Sequence, residues 1–163
     1  MKTIKANPVD WQKFYSALSK MSVVIPIPGD GEIVAPVVVE QLLAKVQRRR
    51  QQVDDHSRRF LMLIGNLRAR LSIAEHDLRV ARSVYLGDHQ VRSQSRNEKH
   101  LSSIVDSLTL HESEAIANIK ARIAKYDTAL SALKMTVETF DRAKETLNAM
   151  HRGAIAEMTG RSR

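Results

Sequence analysis

Arginine is the residue type in this chain whose number and spacing point to chemistry. Eleven of its 16 arginines fall between positions 48 and 96. A planar guanidinium binds phosphate or carboxylate through two parallel hydrogen bonds, which the ammonium group of lysine does not. Residues 36–83 contain ten basic and five acidic side chains, whereas residues 113–150 contain six and five. This excess favours a polyanionic ligand.

Other residue types give no catalytic or metal-binding pattern. The six histidines form neither His-x-x-x-His nor His-Glu-x-x-His, and the chain has no cysteine. The turn sequence Pro28-Gly-Asp-Gly31 lacks the Lys-Ser/Thr pair of a Walker loop. We therefore predict a protein that is not an enzyme and that uses no metal ion or cofactor.

The overall composition narrows the fold and the mode of binding. The net charge is +8, aromatic residues make up 4%, and there are only six glycines and four prolines. So few turn residues argue against β-sandwiches and barrels. So few aromatics argue against modules that stack nucleic-acid bases on rings. An all-α, basic protein is expected. No stretch approaches the ~20 apolar residues needed to span a bilayer, so a cytoplasmic location is expected.

A heptad pattern over residues 36–85 predicts one long helix that begins at Pro36. We call its a and d positions the α2 seam. The d positions are Val39, Val46, Val53, Phe60, Leu67, Ala74 and Ala81, and the a positions are Leu43, Arg50, Ser57, Ile64, Leu71, Leu78 and Tyr85.

A second long helix is predicted after a stop at Gly87 and a polar stretch over residues 91–100. Its apolar seam runs through Ile116, Ile119, Ile123, Tyr126, Leu130, Leu133, Val137 and Phe140, and its end is expected near residues 150–153. Leu101, Val105 and Leu108 fit a different register, which predicts a register change near His111 and Glu112. The two helices would form a long antiparallel hairpin of coiled-coil type.

The ends of the chain differ from this hairpin. Residues 1–35 predict a short N-terminal helix capped at Asn7-Pro8 and an extended arm or small hairpin, together a docking segment. Residues 36–153 form the predicted hairpin for DNA binding and oligomerisation, and residues 154–163 a basic tail, with residues 159–163 disordered.

The segment from Phe60 to Ile64 predicts self-association. Leu61, Met62 and Leu63 fall outside the seam, on faces that a hairpin of two helices leaves exposed. We predict that Phe60, Leu61, Met62, Leu63 and Ile64 form an oligomerisation surface. The alternative is that the N-terminal stripe of Trp11, Phe14 and Leu18 folds back over it.

The order of these segments resembles the UvsY-like recombination mediators of phages. A short helix containing Asp10-Trp-Gln-Lys-Phe-Tyr15 leads through an extended segment to a long helix over residues 37–85. The turn Tyr85-Leu-Gly-Asp88 and a second long helix over residues 97–152 follow. The resemblance implies basic residues that contact DNA just before the tyrosine and the turn, where this chain has Arg79 and Arg82, with Arg68 and Arg70 upstream.

The resemblance implies a homo-oligomer that binds single-stranded DNA (ssDNA) and loads a RecA-like recombinase onto strands covered by single-strand-binding protein, in the host bacterial cytoplasm. The candidate nucleic-acid-binding residues are Arg58, Arg59, Arg68, Arg70, Arg79, Arg82, Arg92 and Arg96.

Three other interpretations stay open at this stage. The arginines could be solvated coiled-coil flanks paired with Glu40, Asp54, Asp55, Glu75 and Asp77. The chain could be a structural or scaffolding adaptor, such as a virion or assembly protein, that binds no nucleic acid. It could also be a regulator that docks on an acidic protein through the same face.

Overall fold

The structure is a computed structural model that describes residues 9–26, 29 and 34–160. These residues form five helices and no strand: α1 (Trp11–Ser19), α2 (Pro36–Gly87), α3 (His89–Ser93), α4 (Glu98–Leu108) and α5 (Leu110–Gly160). The all-α prediction is confirmed. No helix in the described part of the chain is long and apolar enough to cross a membrane.

The chain divides into two compact units. Unit 1 combines Met1–Ser57 with Ser131–Arg163, and unit 2 is Arg58–Leu130. The long helices α2 and α5 each contribute one segment to each unit. Each unit therefore joins parts of α2 and α5 that are far apart in sequence.

Helix α1 begins three residues later than predicted. The Asp10 carboxylate accepts a hydrogen bond from the backbone N–H of Lys13 at 3.1 Å, so Asp10 is the N-cap. The predicted cap at Asn7-Pro8 lies outside the described residues. In the predicted arm, residues 22–26 form neither helix nor strand, and the prediction of a small hairpin falls largely on residues that are not described.

Unit 1 has a core of apolar residues from α2 and α5. Its fully buried side chains are Val39, Val46, Val53, Leu133, Phe140 and Leu147. The Glu40 carboxylate lies 3.4 Å from Nε2 of His151, and Arg50 forms an ion pair of 2.6 Å with Asp141. Because the partner number falls as the α2 number rises, the two segments run antiparallel within this unit.

Helix α1 is fixed to α2 by one arginine and one aromatic contact. The Nη1 group of Arg49 donates hydrogen bonds to the carbonyl oxygens of Met21, at 2.7 Å, and Ser22, just beyond the end of α1. The ring of Phe14 meets the ring of His56 edge to face, with centroids 6.1 Å apart. No residue of α1 is fully buried, so these contacts determine where it docks.

Unit 2 has a core formed by α2, α4 and α5. Phe60 stacks obliquely on Tyr126 with ring centroids 5.4 Å apart, and Ile64, Leu67, Val105, Ile116 and Ala129 are also buried. Ion pairs join Arg82 of α2 to Asp106 of α4, and Glu75 of α2 to Lys120 of α5 at 2.9 Å. The segments of α2 and α5 are therefore antiparallel in this unit as well.

The predicted α2 seam faces inward along its whole length. All 14 of its positions are buried or half-buried, including the polar Arg50 and Ser57. Helix α5 extends to Gly160, beyond the predicted end, and Ala154 is 2% exposed. The expected disordered tail is therefore helical as far as Gly160, and residues 161–163 are not described.

The predicted register change near His111 and Glu112 is wrong. The chain does break between α4 and α5 at Thr109, but the inward positions Val105, Thr109, Glu112 and Ile116 keep the alternating spacing of four and three residues. Thr109 and Glu112 are polar, so a count of apolar residues misses them. Leu108, which the apolar pattern selects, is half exposed.

Thr109 and Glu112 differ in whether their buried side-chain oxygens are hydrogen-bonded. Thr109 is fully buried, and its hydroxyl donates to the carbonyl oxygen of Val105 at 2.9 Å. The Oε2 atom of Glu112 is buried without a hydrogen-bond partner in the described part of the chain. Such a group costs roughly 1–3 kcal/mol of stability.

We expect Glu112→Leu to raise the free energy of unfolding by about 1 kcal/mol, because it removes an unpaired buried oxygen and adds apolar contact. Urea denaturation followed by circular dichroism measures this change. Glu112→Gln keeps the size and the polarity, so it should stabilise the protein less. Equal stability of the wild type and the leucine variant would contradict the expectation.

We expect Arg49→Ala to release the chain after α1, since both carbonyl contacts come from this guanidinium. Cleavage after Lys20 by a lysine-specific protease should become severalfold faster. The adjacent, exposed Arg48→Ala is the matched control and should leave the rate unchanged. Equal rates for the two variants would mean that Arg49 does not hold the segment.

Candidate nucleic-acid interface

All eight predicted nucleic-acid-binding arginines lie in unit 2, and all eight are exposed. Six are on α2, Arg92 is on α3, and Arg96 precedes α4. Unit 2 contains 12 Lys and Arg against eight Asp and Glu, and unit 1 contains 14 against ten. Each unit thus has a formal excess of four positive charges, but all eight predicted nucleic-acid-binding arginines belong to unit 2.

The arginines of α2 form two separate flanks rather than one patch. Each residue advances about 100° around an α-helix, so residues 11 positions apart share a face. Arg68 and Arg79 are 11 apart and form the first flank, and Arg59 and Arg70 are 11 apart and form the second. Arg68 and Arg70 point about 160° away from each other. The sequence-based prediction grouped Arg68 with Arg70 only because they are two residues apart along the chain.

Arg82 and Arg92 of this set each join two helices. The guanidinium of Arg82 forms an ion pair with Asp106 of α4. The Nε group of Arg92 donates to the carbonyl oxygen of Leu86 at 2.7 Å, where the last turn of α2 leaves carbonyls without helical partners. Arg82 therefore helps to fix α4 on α2, and Arg92 stabilises the C-terminal end of α2.

Four other arginines keep their guanidinium groups free. Arg59, Arg68, Arg70 and Arg96 have neither an ion pair nor a side-chain hydrogen bond to any of the residues that the structure describes. Arg79 makes one long hydrogen bond of 3.4 Å to the carbonyl oxygen of Glu75, one turn earlier on its own helix. Arg58 has a partner in the structure.

Two of the α2 carboxylates that could have neutralised α2 arginines pair with residues of α5 instead. Glu75 lies one helical turn before Arg79, but its carboxylate binds Lys120 of α5. The Glu40 carboxylate lies 3.4 Å from Nε2 of His151 on α5. For Glu40 and Glu75, the interpretation of the arginines as self-paired flanks of α2 is therefore not what the structure shows.

The connection between α2 and α4 is held by short-range hydrogen bonds. The Asp88 carboxylate caps α3 by accepting from Gln90 N–H at 2.7 Å, and Asn97 caps α4 by accepting from His100 N–H at 2.8 Å. Nδ1 of His100 accepts from the backbone N–H of Arg96 at 3.2 Å. These bonds set the positions of the backbone at Arg92 and Arg96.

The predicted oligomerisation residues divide into core and surface. Phe60 and Ile64 are 2% and 3% exposed and belong to the core of unit 2. They present no surface to another chain, because as seam positions they face the interior. Leu61 and Met62 are exposed and Leu63 is half-buried. The predicted surface is thus reduced to these three residues.

Unit 1 contains a polar groove of about 420 Å³. It exists because Arg50 and Lys144 occupy positions where apolar residues would otherwise close the contact between the helices. Its wall includes the ion pair of Arg50 with Asp141, and Phe140 lies at its base. The positive charges of Arg50 and Lys144 are balanced by the carboxylates of Asp54 and Asp141. The groove therefore has no preference for an anion.

Within the described ranges, no cluster of three or more His, Cys, Asp or Glu residues could hold a metal ion. A scan against protein-family models, a search of curated proteins and a search of solved structures each gave no match. The resemblance to the UvsY-like mediators therefore stays a prediction, and the function has to be argued from the residues themselves.

Proposed function

We propose that this protein is a non-enzymatic ssDNA-binding recombination mediator. It would oligomerise and load a RecA-like recombinase onto strands covered by single-strand-binding protein, in the cytoplasm of a bacterial host. The observation that carries the DNA-binding part is the set of free, exposed guanidinium groups at Arg59, Arg68, Arg70 and Arg96. The recombinase and the single-strand-binding protein enter through the resemblance alone.

The mode of binding follows from where the aromatic residues lie. In unit 2, Phe60 and Tyr126 are buried against each other and Tyr85 is half-buried. Trp11, Phe14 and Tyr15 contact one another in unit 1. Because no Trp, Tyr or Phe ring is exposed in unit 2, all of which the structure describes, binding would rest on phosphate contacts and would not depend on base sequence.

The antiparallel hairpin is part of this proposal. It is supported by the antiparallel pairing of α2 with α5 inside each unit. A rigid helical support suits a mediator, because it holds the arginines at fixed spacing: Arg68 and Arg79 are about 16 Å apart along α2.

The first test is the salt dependence of ssDNA binding. Fluorescence anisotropy with a labelled oligonucleotide should show affinity that falls steeply with salt. Arg68→Ala should reduce the slope of log affinity against log salt by about 0.7, the value for one phosphate contact on a single strand. Arg68 is preferred to Arg82, because removing Arg82 also breaks the ion pair with Asp106.

Arg142→Ala is the matched control, since Arg142 is exposed on α5 outside the predicted set. It should leave the slope unchanged. Binding that is absent at low salt, or insensitive to salt, would contradict the DNA-binding function. An unchanged slope for Arg68→Ala with intact binding would contradict only the assignment of this residue.

The second test uses the internal ion pair of Arg82. Asp106→Asn removes the carboxylate that engages Arg82 and one negative charge from unit 2. We expect ssDNA affinity at low salt to increase by about a factor of three to ten, an effect that added salt should abolish. Asp141→Asn makes the same change on the Arg50 pair of unit 1 and is the control. Equal effects of the two variants would exclude a local role for Arg82.

A structural adaptor is the second candidate function. The observation in its favour is the set of apolar side chains that remain exposed on α2, among them Met62, Ile73 and Val84. An adaptor would self-associate but ignore ssDNA, whereas a mediator would do both. Light scattering coupled to size exclusion, with and without an oligonucleotide, separates the two.

A further inference from the structure

The outward face of α2 in unit 2 carries a second apolar stripe. Its members are exposed and are spaced seven, four, seven and four residues apart: Met62, Ala69, Ile73, Val80 and Val84. Met62 is 70% exposed, Ile73 62%, Val80 49% and Val84 63%. We call this set the outer stripe.

The outer stripe is separate from the core. At about 100° per residue its members fall within about 60° of one another, centred roughly 160° from the inward side chains of Phe60, Ile64 and Leu67. A helix face in contact with water alone is normally polar. The stripe covers 23 residues, or about 33 Å of helix, and its spacing repeats every 11 residues, which keeps its members on one face of the helix.

We infer that the outer stripe binds the same stripe of a second copy of this chain, with the two helices antiparallel about a twofold axis between residues 74 and 75. The inference does not rest on DNA binding. An apolar stripe along one face of a helix suits a helical partner, and a twofold contact needs a surface that is complementary to itself.

Charge complementarity selects the second copy and the antiparallel direction. Arg70 and Asp77 border the stripe on the same side, seven residues apart on one helix and too far from each other to pair within it. In the antiparallel arrangement, Arg70 of each copy faces Asp77 of the other, which gives two ion pairs. In a parallel arrangement, Arg70 would face Gly65 and Asp77 would face Ser72, which gives none.

The sizes of the side chains fit the same register. Val80 lies opposite the small Ala69, Ile73 opposite His76, and Met62 opposite Gly87. The space over Gly87 is open, since a Cβ placed there would meet no atom within 4 Å.

This pairing would assign Arg70 to the contact between subunits and leave the first flank, Arg68 and Arg79, on the surface. The predicted self-association would then use Met62 together with residues much farther along α2, rather than the segment of residues 60–64. Leu63 would touch Val84 of the second copy at the border of the stripe.

The test is the mass of the full-length protein without DNA, by sedimentation or light scattering. The wild type should self-associate, and Ile73→Asp/Val80→Asp should at least halve the mass at the same concentration with unchanged circular dichroism. Met135→Asp is the control, because Met135 is 69% exposed on α5, outside the stripe. A monomeric wild type, or an unchanged mass for the double variant, would overturn the inference.

Charge exchange tests the twofold contact itself. Arg70→Asp or Asp77→Arg alone should weaken association about tenfold, since each places like charges opposite each other twice. The double variant Arg70→Asp/Asp77→Arg should restore it. Failure of this rescue would overturn the proposed pairing.

The absence of cysteine makes the direction measurable by disulfide formation. A mixture of the Ala69→Cys and Val80→Cys variants should form a mixed disulfide faster than either variant links to itself. Faster self-linking of Val80→Cys would indicate parallel helices and would overturn the antiparallel arrangement. Both readouts are made without DNA, so their failure leaves the proposed DNA binding untouched.

Discussion

Helices as long as α2 and α5, with 52 and 51 residues, are stable in water when one face of each is covered by apolar contact. In both units that contact is a line of inward side chains spaced alternately by three and four residues. The bulkiest fully buried members, Phe60, Leu133, Phe140 and Leu147, all lie on it. Because the apolar seam of α2 must face the core, it fixes the directions in which the exposed side chains of α2 point, including the arginines and the outer stripe.

Polar residues at inward positions account for the irregular features. Arg50 faces inward in unit 1, and since its charged group cannot be buried there, it reaches Asp141 and a groove opens beside it. In unit 2, Thr109 turns its hydroxyl onto its own helix, where the break between α4 and α5 occurs. Glu112 has no such local acceptor or donor, and one of its oxygens stays unpaired.

The same geometry determines which charges remain free. Contacts between α2 and α5 engage Glu40 and Glu75, two of the five carboxylates of α2. The contact between α2 and α4 engages Arg82. What is left is a basic surface divided between two flanks of α2, with an apolar stripe between them. In the proposed pairing, self-association would use the outer stripe and would leave the first flank, Arg68 and Arg79, for phosphate binding.

The sequence by itself determined the two long helices, α2 and α5, and the α2 seam, because a heptad spacing depends only on local helix geometry and on side-chain polarity. It also located the basic residues along the chain, but not their partners. Only the tertiary structure decided that Arg82 and Arg92 are engaged and Arg68 is free, and that Phe60 and Ile64 are core. It likewise placed Thr109 and Glu112 at inward positions, which the pattern of apolar residues does not reveal because both side chains are polar. The physical reason is that burial and ion pairing depend on which segments meet, such as Glu75 with Lys120 or Arg82 with Asp106, and residues distant in sequence supply those contacts.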